Sequence, residues 1–158
     1  MKRLLTLLLA TCFLTIIGSS ALADDHSATV AECIEMSKKA AEAILEDQEA
    51  ALAEISKKDG KYVWKDSYVF VMDLKGKMLA HPVMPGLMTM KSLLSTPDKN
   101  PKEPKMLFVE FVVTAGTKGE GWVEYMWPKP GETTPSIKET YVYRIPGTSM
   151  FTAAGIYR

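Results

Sequence analysis

The hydrophobic period of the chain changes at Gly60. Before this glycine, apolar side chains from Val30 to Ile55 recur every three or four residues, which is the spacing of one face of an α-helix. After it, the chain is dominated by runs of β-branched and aromatic residues, which are typical of β-strands. A helix followed by strands predicts an α+β fold in which the helix covers one face of an antiparallel sheet.

The helical stretch is predicted to form one long helix over residues 29–57. Thr29 and Glu32 have the spacing of a capping box, in which each side chain accepts a hydrogen bond from the other residue's backbone N–H. No glycine or proline interrupts the stretch before Gly60. Such a helix is longer than one small sheet requires, since each residue adds about 1.5 Å. We therefore expect its N-terminal half to project, or to pair with a second copy in a homodimer.

Five strands are predicted after Gly60, and the short turns that join most of them favour antiparallel neighbours. The first two form a hairpin around the turn at residues 73–76, where Gly76 can adopt a positive φ. The predicted strands are residues 68–72, 77–81, 121–127, 137–145 and 150–157.

Two segments between the strands are less well determined. In residues 107–115, the β-branched side chains favour a strand, whereas the spacing of Leu107, Phe111 and Ala115 suits a helix equally well. Residues 82–104 contain five prolines and no clear period. They predict a long loop, and long loops in compact domains are usually functional or mobile. Its second half, around residues 96–101, is polar and expected to be exposed.

The first 23 residues have the pattern of a cleaved signal peptide. A basic start, Met1-Lys-Arg3, precedes an apolar run over residues 4–17, and Ala21-Leu-Ala23 fits the small-x-small cleavage pattern. The run is shorter than the about 20 residues that span a membrane, although an uncleaved anchor helix is the alternative. We expect cleavage after Ala23 and a periplasmic mature chain, residues 24–158, which folds as a single domain.

The net charge gives no indication of a nucleic-acid partner. The full chain has 19 basic and 19 acidic residues. Loss of Lys2 and Arg3 with the signal peptide leaves 17 basic against 19 acidic residues, a formal charge of −2. Because nucleic-acid-binding domains usually carry an excess of positive charge, we expect no nucleic-acid partner.

No catalytic motif is present in the sequence. Covalent hydrolysis requires a nucleophile beside a base, and His81 has no motif-placed serine partner. Cys33 is the single cysteine of the mature chain, so it cannot form an internal disulfide. Its apolar helical neighbours favour burial, with pairing between chains as the alternative. We expect neither an enzyme nor a cofactor.

Cleavage after Ala23 would make His26 the third residue of the mature chain. A free amine, two amide nitrogens and a third-position imidazole can form a square-planar nitrogen site that suits Cu(II) or Ni(II). The alternative is a disordered tail in which the histidine has this position by accident.

Two residues are candidates for binding an acidic group. His81 ends a predicted strand before Pro82, where its imidazole can hydrogen-bond a ligand carboxylate or cap the backbone. Lys138 lies in a strand otherwise rich in threonine, tyrosine and valine. Its ammonium either pairs with a carboxylate over a concave aromatic site or is a solvated edge lysine.

Four aromatic residues complete the candidate ligand-binding set. Tyr125 and Trp127 project to one side of their strand and offer apolar walls with one polar tip each, which suits a half-wet pocket. Plain core packing is the alternative for both. Tyr141 and Tyr68 are further candidates as hydroxyl donors to the same ligand.

Four groups of residues, in the same order along the chain, resemble the single Cache domain family. They cover about Val30 to Tyr157, nearly the whole mature chain. The groups are Tyr68-Val-Phe-Val-Met-Asp73 with Gly76 and Leu79-Ala-His-Pro82; Gly119-x-Gly-Trp-Val-Glu-Tyr-x-Trp-Pro-x-Pro130; Lys138 with Tyr141-Val142; and Gly155-Ile-Tyr157. The resemblance implies a PAS-like five-stranded antiparallel sheet with a long N-terminal helix, and it implies that residues 107–115 are a helix.

The resemblance also implies a function. Such domains usually form the extracytoplasmic sensing part of chemoreceptors and histidine kinases and bind small organic acids or amino acids, and some occur as free periplasmic proteins. We expect a stand-alone periplasmic binding or sensor domain for a small carboxylate-bearing metabolite, with a membrane receptor or kinase as its protein partner. The alternative is a ligand-free interaction or scaffold subunit that passes a signal to a membrane partner.

Overall fold

The computed structural model describes residues 26–158, in which helices flank both faces of a six-stranded antiparallel sheet. The elements are α1 (Val30–Glu46), α2 (Gln48–Ile55), β1 (Val63–Trp64), β2 (Ser67–Asp73), β3 (Met78–Ala80), a 3₁₀ helix (Pro85–Thr89), α3 (Leu107–Val113), a π-helical turn (Thr114–Lys118), β4 (Glu120–Pro128), β5 (Pro135–Arg144) and β6 (Met150–Tyr157). The predicted α+β class is confirmed. The predicted signal peptide and its cleavage site lie outside the described residues. Within residues 26–158, no helix has both the length and the apolar character needed to cross a bilayer.

The strand order of the sheet is β1-β2-β6-β5-β4. β1 pairs with the start of β2, through Val63 opposite Tyr68, and β3 pairs with its end, through Val71 opposite Ala80. The two-residue β1 is the strand that the prediction of five strands missed. It is too short to form a recognisable run of β-branched and aromatic residues, which is the signal that predicts most of the other strands.

The long helix predicted over residues 29–57 is wrong in one respect, because the chain leaves the helical conformation at Asp47 (φ −149°, ψ 97°). The Asp47 carboxylate accepts a hydrogen bond from the Ala50 backbone N–H at 3.1 Å and so caps the start of α2. A capping aspartate inside an otherwise helical run interrupts the helix without a glycine or proline. The predicted capping box of Thr29 and Glu32 is confirmed at the start of α1.

The N-terminal half of α1 lies on the sheet and does not project. Its residues Cys33, Ser37 and Ala40 are fully buried. The Thr152 hydroxyl of β6 donates to the Ser37 carbonyl at 2.9 Å and so ties α1 to the sheet. The expectation of a projecting helix is therefore wrong, and the argument from helix length for a homodimer loses its basis. Burial of Cys33, the favoured interpretation of this thiol, is confirmed.

The opposite face of the sheet is covered by α3 and by residues 82–106. Phe108 packs edge-on against Trp127 with ring centroids 6.2 Å apart, and Phe111 packs edge-on against Tyr125 at 5.4 Å. Residues 107–113 are thus a helix, as the resemblance implies. Local periodicity left this open, and contact of one helical face with the sheet decides it.

Candidate ligand-binding site

Three strands align polar aromatic and charged side chains on the sheet face beneath α3. In the antiparallel register, Tyr125 of β4 is opposite Lys138 of β5, and Lys138 is opposite Tyr157 of β6. Directly opposite residues of antiparallel strands project to the same face. Tyr68 of β2 reaches the same place, since its ring contacts Lys138. The structure therefore brings together three of the predicted residues and adds Tyr157.

Lys138 is a fully buried lysine, with 0% of its surface exposed. Its Nζ makes no hydrogen bond with any of residues 26–158. The nitrogen lies 4.1 Å from the centroid of the Tyr68 ring and 4.6 Å from that of Tyr157. Cation–π attraction of this kind is worth about 2 kcal/mol when desolvated, less than the several kcal/mol that burying an ion costs. The interpretation of Lys138 as a solvated edge lysine is wrong.

Gly155 makes room for the buried lysine stem. A Cβ on Gly155 would lie 2.9 Å from Lys138 Cε and 2.6 Å from the Glu139 carbonyl oxygen, and it would also collide with the Thr140 hydroxyl. Real Cβ atoms essentially never approach a neighbour this closely. The absence of a side chain at Gly155 therefore allows Lys138 to run along the sheet beneath the aromatic rings.

His81 is buried beside this cluster, with its ring centroid 5.0 Å from that of Tyr68 and 5.8 Å from that of Phe70. Its Nδ1 accepts hydrogen bonds from the backbone N–H groups of Val83 at 3.2 Å and Met84 at 2.9 Å. Burial, reinforced by the nearby charge of Lys138, lowers the pKa of His81 to about 3. The imidazole is therefore neutral at ordinary pH, and its proton is on Nε2 because Nδ1 is an acceptor.

A cavity of about 10 Å³ lies between the sheet face and α3, with room for about one water molecule. Its wall contains four of the predicted site residues, together with apolar residues of α3 and of neighbouring segments. The lining residues are Tyr68, Phe70, Met78, His81, Leu87, Leu107, Phe108, Phe111, Tyr125 and Trp127. Tyr125 and Trp127 are buried rather than half-exposed, since each is only 4% exposed.

The tyrosine hydroxyls beside the cavity are held by the protein. The Tyr125 hydroxyl is hydrogen-bonded to the Thr140 hydroxyl at 3.0 Å, and burial raises its pKa well above the usual value. The Tyr157 hydroxyl donates to the Pro128 carbonyl at 2.8 Å. These bonds fix the orientation of two rings that flank Lys138, so the protein itself orders the surroundings of the ammonium.

Residues 82–92, which we call the cover segment, close the cavity from outside. Val83, Met84, Leu87 and Met88 pack against the same aromatic core. The segment is anchored at its start to His81. Its end is anchored to the β2–β3 turn through Ser92, whose hydroxyl donates to the Lys75 carbonyl at 3.1 Å. The first part of the loop predicted over residues 82–104 therefore covers the apolar face of the sheet.

The second half of that loop is held by Asp98, which is buried although the sequence predicts an exposed stretch. Its carboxylate accepts from the backbone N–H groups of Asn100 at 3.3 Å, Lys105 at 3.0 Å and Met126 at 2.9 Å. The last of these bonds ties the loop to β4. In an exposed loop, water would accept hydrogen bonds from such backbone N–H groups. Here the Asp98 carboxylate accepts them instead.

Tyr141 lies on the other face of the sheet and is not near the other candidates. It alternates with Lys138 and Thr140 along β5, so its side chain projects toward α1. Its hydroxyl donates to the Glu120 carboxylate at 2.5 Å, and its ring lies 5.5 Å from that of Trp122. The prediction grouped Tyr141 with the site by residue type, and strand alternation separates them.

Tyr157 is the site residue that sequence reasoning missed. The sequence places Tyr157 only in the Gly155-Ile-Tyr157 motif, because its contact with Lys138 depends on the register between β5 and β6. Its place in β6, two residues from Gly155 and therefore on the same face, was the available clue.

Nothing among residues 26–158 resembles a metal centre, since no three His, Cys, Asp or Glu side chains are placed to share an ion. His26 is exposed. The other atoms of the predicted copper or nickel site belong to residues 24 and 25, which lie outside the described part of the chain, so that site stays a prediction.

Comparisons with known proteins give one consistent answer. The chain is 32% identical over 93 residues to the methyl-accepting chemotaxis protein McpP of Pseudomonas putida, a match that covers 58% of the chain and 16% of that relative. The chain thus spans a small part of the relative's length. A solved periplasmic sensor domain of a chemotaxis protein is 29% identical, with a TM-score of 0.62 over 78% of this chain and 86% of the other.

Two further solved structures share the fold. One, described as the structural basis for carboxylic acid recognition by a Cache chemosensory domain, is 26% identical, with a TM-score of 0.66 over 80% of this chain and 91% of the other. The other, a methyl-accepting chemotaxis protein from Vibrio parahaemolyticus, is 20% identical with a TM-score of 0.64, over 80% of this chain and 86% of the other. These relatives are chemotaxis sensors rather than enzymes. A family model described as the Cache domain matches residues 19–158. The chain therefore belongs to the Cache domain family.

Proposed function

We propose that the chain is an extracytoplasmic sensor domain that binds a small carboxylate-bearing metabolite at Lys138. The observation that carries the proposal is the buried Lys138 ammonium, which has no hydrogen-bond acceptor or counterion among residues 26–158. An unpaired buried ion is costly, and a ligand carboxylate would supply both the charge and the acceptor atoms. A solved relative described as a domain for carboxylic acid recognition supports this ligand class.

The neighbouring side chains suit the organic part of such an acid. Tyr68 contacts the ammonium, and Tyr68, Tyr125 and Trp127 form apolar walls of the neighbouring cavity. His81 is neutral and carries its proton on Nε2, so it contributes an N–H donor and no second positive charge. One cation and several aromatic surfaces favour a compact acid with an apolar portion.

Ligand entry must enlarge the cavity, because about 10 Å³ holds no organic acid. Lys138 does not line this cavity, whereas Tyr68 contacts both the cavity and the ammonium. The Tyr68 ring therefore has to shift for a carboxylate to reach Nζ. The cover segment closes the same space, and its displacement would open a path from solvent.

A thermal-shift screen of the purified chain against acetate, pyruvate, succinate and glutamate tests the proposal. A ligand that binds only the folded state raises stability by RT ln(1 + [L]/Kd), about 2.7 kcal/mol at a hundredfold excess over Kd. We expect at least one acid to raise the melting temperature, and calorimetry to give a matching Kd. Native mass spectrometry of protein purified from its own periplasm would identify the natural ligand.

The small cavity favours a second candidate, a ligand-free interaction subunit that passes a signal to a membrane receptor or kinase. The same screen separates the two functions, because a protein that binds no acid gains no stability from any of them. Export to the periplasm, argued from the first 23 residues, is part of the first proposal and is tested by sequencing the N-terminus of protein recovered from that compartment.

A further inference from the structure

We propose that His81 is a positioning residue that latches the cover segment over the cavity, with its Nδ1 holding the start of the segment while its ring forms part of the cavity wall. The inference deepens the proposed function and rests on it for the ligand. The latch itself is a property of the ligand-free chain and can be tested alone.

The latch consists of two hydrogen bonds to one atom. His81 Nδ1 accepts from the backbone N–H groups of Val83 at 3.2 Å and Met84 at 2.9 Å. These are the first two backbone donors of the cover segment, since Pro82 has no N–H. They fix the direction in which the chain leaves β3 and enters the 3₁₀ helix.

The middle of the cover segment packs on the core through Leu87 and Met88 but makes few hydrogen bonds to the rest of the described chain. Its hydrogen bonds are mainly internal: Leu87 N–H donates to the Met84 carbonyl at 3.1 Å, and the Thr89 hydroxyl donates to the Gly86 carbonyl at 2.8 Å. Contact with the rest of the protein includes a long hydrogen bond of 3.9 Å from the Ser56 hydroxyl to Met88 Sδ. The segment can therefore lift as a unit once one anchor is released.

The far end of the cover segment leads into a second, buried anchor. Leu93 N–H donates to the Gly76 carbonyl at 2.8 Å, and Leu93 is fully buried. A Cβ on Gly76 would lie only 2.5 Å from Leu94 Cγ, so Leu94 packs tightly against this glycine. This end is locked by packing, so opening should begin at His81.

The His81 ring couples the latch to the cavity. The ring stacks on Phe70, at 5.8 Å and 20°, and it lines the cavity beside Tyr68. A molecule that enters the cavity has to displace these rings, and rotation of the imidazole would misalign Nδ1 from both backbone donors. Occupancy of the site is thereby converted into movement of a surface segment.

Two substitutions distinguish the roles of the two ring nitrogens of His81. His81→Asn places an acceptor oxygen near the position of Nδ1 and removes the Nε2–H donor. His81→Gln places its amide near the position of Nε2 and leaves the two backbone donors without Nδ1. Amide hydrogen exchange of residues 82–92 in the full chain, without ligand, is the measurement.

We expect His81→Gln to raise the exchange rate of Val83 and Met84 at least about tenfold, equivalent to about 1.4 kcal/mol, and His81→Asn to stay within about threefold of the parent. Exchange in β5 and β6 should not change in either variant. Equal exchange of the cover segment in the two variants would overturn the latch.

Nitrogen NMR of the unsubstituted chain tests the latch without relying on the folding of any variant. It reports which imidazole nitrogen carries the proton. The latch requires the proton on Nε2, and a proton on Nδ1 would overturn it. Binding of the acids of the screen is a separate arm. If no acid binds but the exchange pattern holds, the proposed function fails and the latch stands. If acids bind and the two variants exchange alike, the latch fails and the function stands.

Discussion

The ammonium nitrogen of Lys138 lies 4.1 Å from the centroid of the Tyr68 ring. Both residues are buried, and the ring occupies a place where a counterion would satisfy the charge. The aromatic face stabilises the ammonium less than a carboxylate would. The charge is therefore expected to cost folding free energy in the empty protein and to contribute to binding free energy when an acid is present.

Lys138→Met should have opposite effects on stability and on binding. Methionine keeps an unbranched stem and removes the buried charge, so we expect the free energy of unfolding of the empty protein to rise by at least about 1 kcal/mol. Loss of a charge-assisted hydrogen bond of about 1.5–3 kcal/mol should weaken an acid ligand about tenfold to more than a hundredfold. Chemical denaturation and calorimetry measure the two effects.

Lys118→Met is the matched control, because Lys118 is an exposed lysine of the π-helical turn. It should change neither quantity appreciably, since surface substitutions usually fall within about 0.5 kcal/mol. Unchanged acid affinity in Lys138→Met would show that the site lies elsewhere.

Gly155→Ala should destabilise the fold by about 1–3 kcal/mol, as overpacking of a core usually does. The added Cβ would meet the Glu139 carbonyl at 2.6 Å and Lys138 Cε at 2.9 Å. Gly116→Ala is the comparison, because no heavy atom lies within 4 Å of its Cβ position. Urea denaturation of both variants should show a loss in the first and little change in the second, and equal midpoints would contradict the close packing around Lys138.

Stability should fall with acidification between about pH 6.5 and pH 3 because of His81. Its pKa is lowered from 6.5 to about 3 in the folded protein by burial and by the nearby charge of Lys138. Within that window the unfolded chain binds a proton that the folded chain does not, so this stabilisation is fully present above pH 6.5 and is lost as the pH falls. The slope is up to about 1.4 kcal/mol per pH unit.

His81→Asn cannot titrate in this range, so its free energy of unfolding should depend less steeply on pH than that of the parent. Urea denaturation at half-unit steps of pH gives both curves. Parallel curves would mean that His81 titrates alike in the folded and unfolded chains.

The Cys33 thiol should be unreactive in the folded protein. Burial raises its pKa to about 11, and a weak contact of 3.8 Å joins Sγ to the Ser67 hydroxyl. Since the thiolate is the reactive form, a disulfide reagent should modify Cys33 slowly at neutral pH and quickly after denaturation. Rapid modification of the native chain would show that α1 opens easily from the sheet.

Much of the fold could be predicted from local sequence. The capping box of Thr29 and Glu32 begins α1, and the turn glycine Gly76 adopts the expected positive φ of 82°. Runs of β-branched and aromatic residues located most of the five longer strands, and β2 and β6 among them are buried along nearly their whole length. The break at Asp47 was not predicted, because it depends on a side-chain cap within a run that is helical on both sides.

The sequence by itself determined the residue types of the site and the class of the fold, since both follow from short-range patterns. Only the tertiary structure decided which side chains meet. The register of β5 with β4 and β6 places Tyr125 and Tyr157 beside Lys138, and strand alternation sends Tyr141 to the α1 face. Burial of an unpaired ammonium is likewise a property of the assembled layers, because desolvation depends on what the rest of the chain places around it.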